Sequence, residues 1–137
     1  MIKTLKITYF KLIPAEVELV GEKVLDAAFK VHTALGPGLL ESVYEACLAY
    51  EIRKSGIKVE TQVALPVIYE GVQVDAGLRM DMLIEKCVIV ELKSVDTLIP
   101  VYEAQLLTYL KLKKIRLGYL ISFNVPHLRD GFKRMVS

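Results

Sequence analysis

Nine residues separate Asp81 from the run Glu91-Leu92-Lys93, and the chain around them reads as two extended segments joined by a short turn. In Val88-Ile-Val-Glu-Leu-Lys-Ser94 three successive β-branched residues favour extended backbone buried on both faces. Alternation then sends Ile89, Glu91 and Lys93 to one side and Val88, Val90 and Leu92 to the other. The preceding segment carries Arg79, Asp81 and Leu83 together. With a three-residue connection of Glu85, Lys86 and Cys87, Asp81 stands opposite Glu91; a two-residue loop would send it to the other face unless a bulge intervened. The first register is adopted. Two carboxylates about 4 Å apart repel by about 4 kcal/mol at an effective dielectric of ~20, so a bare pair resists double ionisation. A divalent cation removes that conflict. With the backbone carbonyl of Leu92 between Glu91 and Lys93, the corner is oxygen-rich and suits Mg2+, Mn2+ being the substitute. Such an ion activates water and neutralises charge growing on a phosphodiester. Lys93 would orient the attacking water or stabilise the transition state.

Around this pair the periodicity predicts the elements that must hold it. From Pro14 an amphipathic helix places Val17, Val20, Val24, Leu25, Ala28, Val31 and Leu35 at helical spacing and ends at Gly36. The break Gly36-Pro37-Gly38 is read as punctuation that places the next helix. That helix, within residues 39–56, has its apolar stripe on Leu40, Val43, Cys47, Leu48 and Ile52 and stops at Gly56. The period then changes. Residues 57–94 contain β-branched runs divided at Glu70-Gly71 and at Glu85-Lys86, predicting three or four strands in an antiparallel meander. A helix over 101–114, an apolar strand over 116–124 and strand character at Phe132 to Val136 follow. The order ααβββαβ describes an α/β sandwich with no internal repeat or linker, and residues 1–13 read as a short strand or a flexible lead-in.

At 137 residues the chain suits one domain, large enough to bury about two-thirds of the surface its unfolded form exposes. A hydrophobic fraction of 53% and a mean hydropathy of +0.40 point to an all-buried sheet, a subunit interface as in a homodimer, or both. No apolar run approaches the ~20 residues that span a bilayer, so no membrane partner is expected. Cys47 and Cys87 sit in apolar surroundings without metal-ligand spacing and read as buried free thiols. A cytoplasmic location fits them, and Lys3 and Lys6 are followed by no secretory apolar core. The net charge of +2 does not identify a nucleic-acid binder by itself.

Asp81 with Glu91-Leu92-Lys93, and the order of elements, resemble the PD-(D/E)xK, restriction-endonuclease-like superfamily. The stretch Gly38-Leu-Leu-Glu41-Ser-Val-Tyr44 is similar to the motif of a small group within it, the GxxExxY proteins. Agreement runs from about Val24 to Val136 and takes in Gly36-Pro37-Gly38, Pro66-Val-Ile-Tyr69, Gln105-Leu-Leu-Thr-Tyr109-Leu and Gly131-Phe-Lys-Arg134. Met80 stands where a proline often precedes the aspartate. The resemblance implies a three-layer sandwich around a mixed sheet, hydrolysis of phosphodiester bonds with a preference for DNA, and an acid from the first core helix beside Asp81 and Glu91. Glu41 occupies that motif position, although Glu45, four residues on, shares its helix face and either side chain could reach inward. Gln105 and Tyr109 resemble the Q-x-x-x-Y of RecB-like nucleases, which implies that the glutamine orders the active site or contacts the DNA backbone.

Several residues carry a plainer reading. Tyr44 is read chiefly as core, its hydroxyl satisfying a partner. His32 and His127 are isolated and read as helix-surface or loop residues, and Asp75 and Asp96 as loop or strand-end residues. Lys111, Lys113, Lys114 and Arg116 form either a solvated helix end or, with Lys133 and Arg134, a phosphate grip. No alternation of aromatic and basic residues indicates base stacking. The alternative to an enzyme is a non-catalytic nucleic-acid or protein-binding module on the same fold.

Overall fold

The computed structural model describes residues 12–75 and 77–137, so most of the anticipated lead-in segment lies outside the described residues. Helix α1 spans Ala15–Leu35, with Pro14 at its N-cap and Gly36, at φ 65°, taking the C-cap. Its buried face is Gly21, Val24, Ala27, Ala28, Val31 and His32. Helix α2 spans Glu41–Lys54 and buries Tyr44, Leu48, Ala49 and Ile52. The expected stripe is therefore rotated: Leu40, the N-cap, is 74% exposed and Val43 is exposed, because Tyr44 takes the inward direction at that level.

Among the described residues seven strands follow, β1 Val59–Ala64, β2 Val67–Tyr69, β3 Val72–Val74, β4 Arg79–Ile84, β5 Val88–Lys93, β6 Leu117–Ser122 and β7 Phe132–Val136, with helix α3 at Pro100–Lys113 between β5 and β6. Five of them form one sheet in the order β1-β4-β5-β6-β7. The pair β5–β6 is parallel, as its helical crossover requires, and the other pairs are antiparallel. The meander is thus β1-β4-β5. The runs around Glu70-Gly71 form a separate hairpin of β2 and β3, inserted beyond Leu65 and Leu78, whose backbones still bond. Pro66, without an amide proton, helps end the main strand there.

Helices α1 and α2 pack on one face of the sheet around Val24, Leu48, Met82, Val90 and Ile121, while α3 covers the other around Met80, Leu83, Ile89, Leu106 and Leu120. This is the α/β, restriction-endonuclease-like architecture with a mixed central sheet. Strand β5 is buried on both faces up to Leu92, as its β-branched start implied. Among the described residues no helix is long and apolar enough to cross a membrane. Cys47 and Cys87 are free but half-buried rather than fully enclosed.

Candidate active site

The β4–β5 register runs Met82↔Val90, Leu83↔Ile89 and Ile84↔Val88, and its continuation sets Asp81 against Glu91. The turn that fixes it is formed by Glu85 and Lys86, both at positive φ, closed by a 2.9 Å bond from the Cys87 amide to the Ile84 carbonyl. Cys87 supplies the extra residue that the anticipated register needed. Beyond Met82 and Val90 the carboxylates take over the bonding. The Asp81 amide donates to Glu91 Oε2 at 2.7 Å, and the Leu92 amide donates to Asp81 Oδ2 at 2.8 Å. Each acid is therefore anchored through one oxygen by the backbone of the opposite strand, with its second oxygen left outside these bonds.

Glu91 is 4% exposed, and burial, followed by the neighbouring charge of Asp81, pushes its carboxyl up to about 8. Glu41, the first residue of α2, is raised by burial and then by Asp81, with Lys93 opposing. Glu45, one turn on, is also raised chiefly by burial, against the effect of its bond with Gln62. Four acids thus converge on the end of the sheet where β5 finishes. They have not closed into a ligand set: among the described residues no three Asp, Glu, His or Cys side chains are grouped tightly enough to hold an ion. Glu41 is a charge neighbour of the Asp81–Glu91 pair rather than a third oxygen at coordinating distance.

Lys93, two residues past Glu91, is half-buried. Its Nζ lies 4.7 Å from the Tyr102 ring centre and 3.4 Å from Gln105 Oε1, while Gln105 Nε2 donates to the Tyr109 hydroxyl at 3.0 Å. Helix spacing explains the arrangement, since Tyr102, Gln105 and Tyr109 fall on one face at intervals of three and four. Tyr109 in turn senses the acids: its hydroxyl is raised by burial and then by Glu91. The pairing of Gln105 with Tyr109 was legible in the sequence. Tyr102 was not singled out there, although its place one turn before Gln105 was the available signal.

Tyr44 is fully buried and stacked on Phe123 with ring centres 4.6 Å apart. Its hydroxyl donates to the Gly36 carbonyl and accepts from the Leu39 amide at 3.2 Å. The tyrosine therefore ties the α1–α2 turn to the core and sets where α2, and so Glu41, begins. Tyr44→Phe leaves both turn groups without this partner and is expected to destabilise the fold by about 1–2 kcal/mol in urea unfolding. Unchanged stability would show that the turn holds itself.

Other expectations are corrected. His32 lies buried rather than on the helix surface, bonding the Val125 carbonyl through Nε2 at 2.7 Å, because its helix face turns toward the loop after β6. The basic run, read as either a solvated helix end or a phosphate grip, lies away from the acids. Val88 pairs with Leu117 and Lys93 with Ser122, so Lys111 to Arg116, just before β6, lie at the opposite end of the sheet. From Gln105 to Lys113 the helix travels about 12 Å at ~1.5 Å per residue. Lys133 and Arg134, on alternate faces of β7, are engaged by Glu103 of α3 at 2.8 Å and by Glu18 of α1 at 2.6 Å.

A second residue at the candidate site, besides Tyr102, escaped the sequence reading. Gln62 of β1 directs Nε2 at both oxygens of Glu45, at 3.3 and 3.0 Å, and at Asp81 Oδ1 at 3.4 Å. Nothing in Thr61-Gln62-Val63 marks it, since it reads as ordinary strand.

No curated protein and no solved structure matches the chain. A family model does match, over residues 18–135, and it is that of the PD-(D/E)XK nuclease superfamily. The matched span contains the paired carboxylates, the lysine two residues beyond and the helices on both sides, and the chain belongs to the PD-(D/E)XK nuclease superfamily.

Proposed function

We propose that the protein is a divalent-metal-dependent nuclease that hydrolyses phosphodiester bonds in DNA with water as the nucleophile, within the GxxExxY group of its superfamily. The observation that carries this reading is the Asp81–Glu91 pair: two carboxylates held against each other by opposite-strand amides, one of them pushed up to about 8. Such a pair fits a hard cation, which would be held by Asp81 and Glu91, with the Leu92 carbonyl beside them and Glu41 completing the acid set through water. Mg2+ is the ion and Mn2+ the substitute. When bound, the ion supplies Lewis-acid stabilisation of charge at the phosphodiester and a more acidic water. The chain's own groups do the rest. Lys93 donates to charge developing on the reacting oxygens, Gln105 aims it, and Tyr109 holds the Gln105 carboxamide.

One observation favours a second reading, a binding module that keeps the fold without catalysis: Lys111 and Lys113 of α3 lie at the far end of the sheet from the acids. Incubation of the purified protein with single-stranded, duplex and branched DNA and with RNA, in Mg2+, Mn2+ or chelator, separates the two. Chelator-sensitive cleavage of DNA is expected. Retention of nucleic acid with no cleavage in any arm assigns the module.

A further inference from the structure

Among the described residues five non-glycine residues have positive φ, and four of them, Glu70, Glu85, Lys86 and Lys114, sit in turns or at a helix end, where such backbone is ordinary. Gln62 is different: at φ 51° it lies within strand β1. The β1–β4 register steps from Thr61↔Met82 to Val63↔Met80, and the pair it skips is Gln62 with Asp81. At that level both strands exchange faces. Val59 and Met82 pack with the α1–α2 layer, whereas Val63 and Met80 pack with the α3 layer, although an unbroken alternation keeps each of these strands' residues on one side. The Gln62 carbonyl, lost to the ladder, accepts instead from Arg79 Nη1 at 3.1 Å. Left-handed backbone in a residue other than glycine persists only where its surroundings impose it, and such strain gathers at functional sites.

We infer that Gln62 is a positioning residue, whose kinked backbone and carboxamide hold Glu45 and Asp81 in the arrangement that receives the divalent ion. The carboxamide is suited to this. Facing three carboxylate oxygens, it presents its nitrogen, so it bridges two like charges with a neutral donor and adds no charge of its own. A glutamate there would bring a third charge, and a lysine would compete with the cation.

The inference rests on the nuclease reading for only one of its three readouts, cleavage. Gln62→Gly keeps the left-handed backbone without steric cost and removes the carboxamide, and because the side chain lines an open groove beside Ser42, Glu45 and Thr61 it leaves no buried void. Gln62→Ala removes the carboxamide and keeps the strain. Gln62→Gly is expected to melt at or above the wild-type temperature, with Gln62→Ala below it. Both variants are expected to bind Mn2+ at least fivefold more weakly by calorimetry and to cleave DNA at least tenfold more slowly. Wild-type Mn2+ affinity in Gln62→Gly would overturn the inference, as would a melting temperature well below wild type, which would make the side chain a support of the fold. If the wild type cleaves nothing, the nuclease reading fails, and Mn2+ affinity and melting still decide this one.

Discussion

Lys93→Ala is expected to lower the rate of DNA cleavage by about 100- to 1000-fold, the usual cost of removing one preorganised donor from a site where charge develops. The loss should fall on turnover rather than on folding. Lys93 contributes to the folded state through its contact with the Tyr102 ring and its 3.4 Å approach to Gln105, interactions that together amount to about 1 kcal/mol at a partly exposed position. Melting temperature and Mn2+ affinity therefore stay close to wild type, while single-turnover cleavage collapses. A variant that cleaves within threefold of wild type would remove Lys93 from the chemistry, and one that fails to fold would show that the amine braces α3.

Glu91→Gln is expected to abolish cleavage and, without metal, to make the protein more stable at pH 8. The folded carboxyl, up to about 8, holds its proton across a range in which the unfolded chain, at its ordinary 4.5, has released it. Between those values the native state binds more protons than the unfolded one, so metal-free stability falls as pH rises from about 4.5 to about 8 and levels off above. Each unit of that window is worth at most about 1.4 kcal/mol, a few kcal/mol in all. Glutamine keeps an oxygen to accept from the Asp81 amide and carries no charge, so the slope should flatten, leaving the weaker contributions of Glu41 and Glu45, which run in the same direction. The check is a series of metal-free melting curves from pH 5 to 8.5, where 1 kcal/mol moves the midpoint by about 3–5 °C in a domain of this size. Mn2+ at pH 8 should raise the wild type and leave the variant unmoved. Equal slopes in the two proteins would sink the assignment.

What could be read before any coordinates was whatever depends on short-range alternation. The β-branched start of Val88–Lys93 announced a doubly buried strand, and the acid and amine that interrupt it marked it as a candidate site. The Asp81 register was legible because it hangs on the count of residues in one turn, and Cys87 makes that count come out. Helix faces were harder. Leu40 and Val43 fit an apolar stripe at helical spacing, yet the turn before α2 rotates the helix so that Tyr44 points inward, which no periodicity reveals. Gln62 was invisible for a different reason: alternation assumes extended backbone, whereas this residue sits at φ 51° and its partners, Asp81, Glu45 and Arg79, lie on other elements. The basic residues stayed open between a helix end and a phosphate grip, because their value depends on which end of the sheet the connection from α3 to β6 reaches.

The amide bonds that hold the Asp81 and Glu91 carboxylates have a spectroscopic consequence. The amide protons of Asp81 and Leu92 each point at a carboxylate oxygen of the pair, so their resonance positions and solvent-exchange rates follow the charge on those oxygens. Two backbone signals, observable with uniform nitrogen-15 labelling alone, thus report protonation of the acids from inside the sheet, and would report the arrival of the proposed cation.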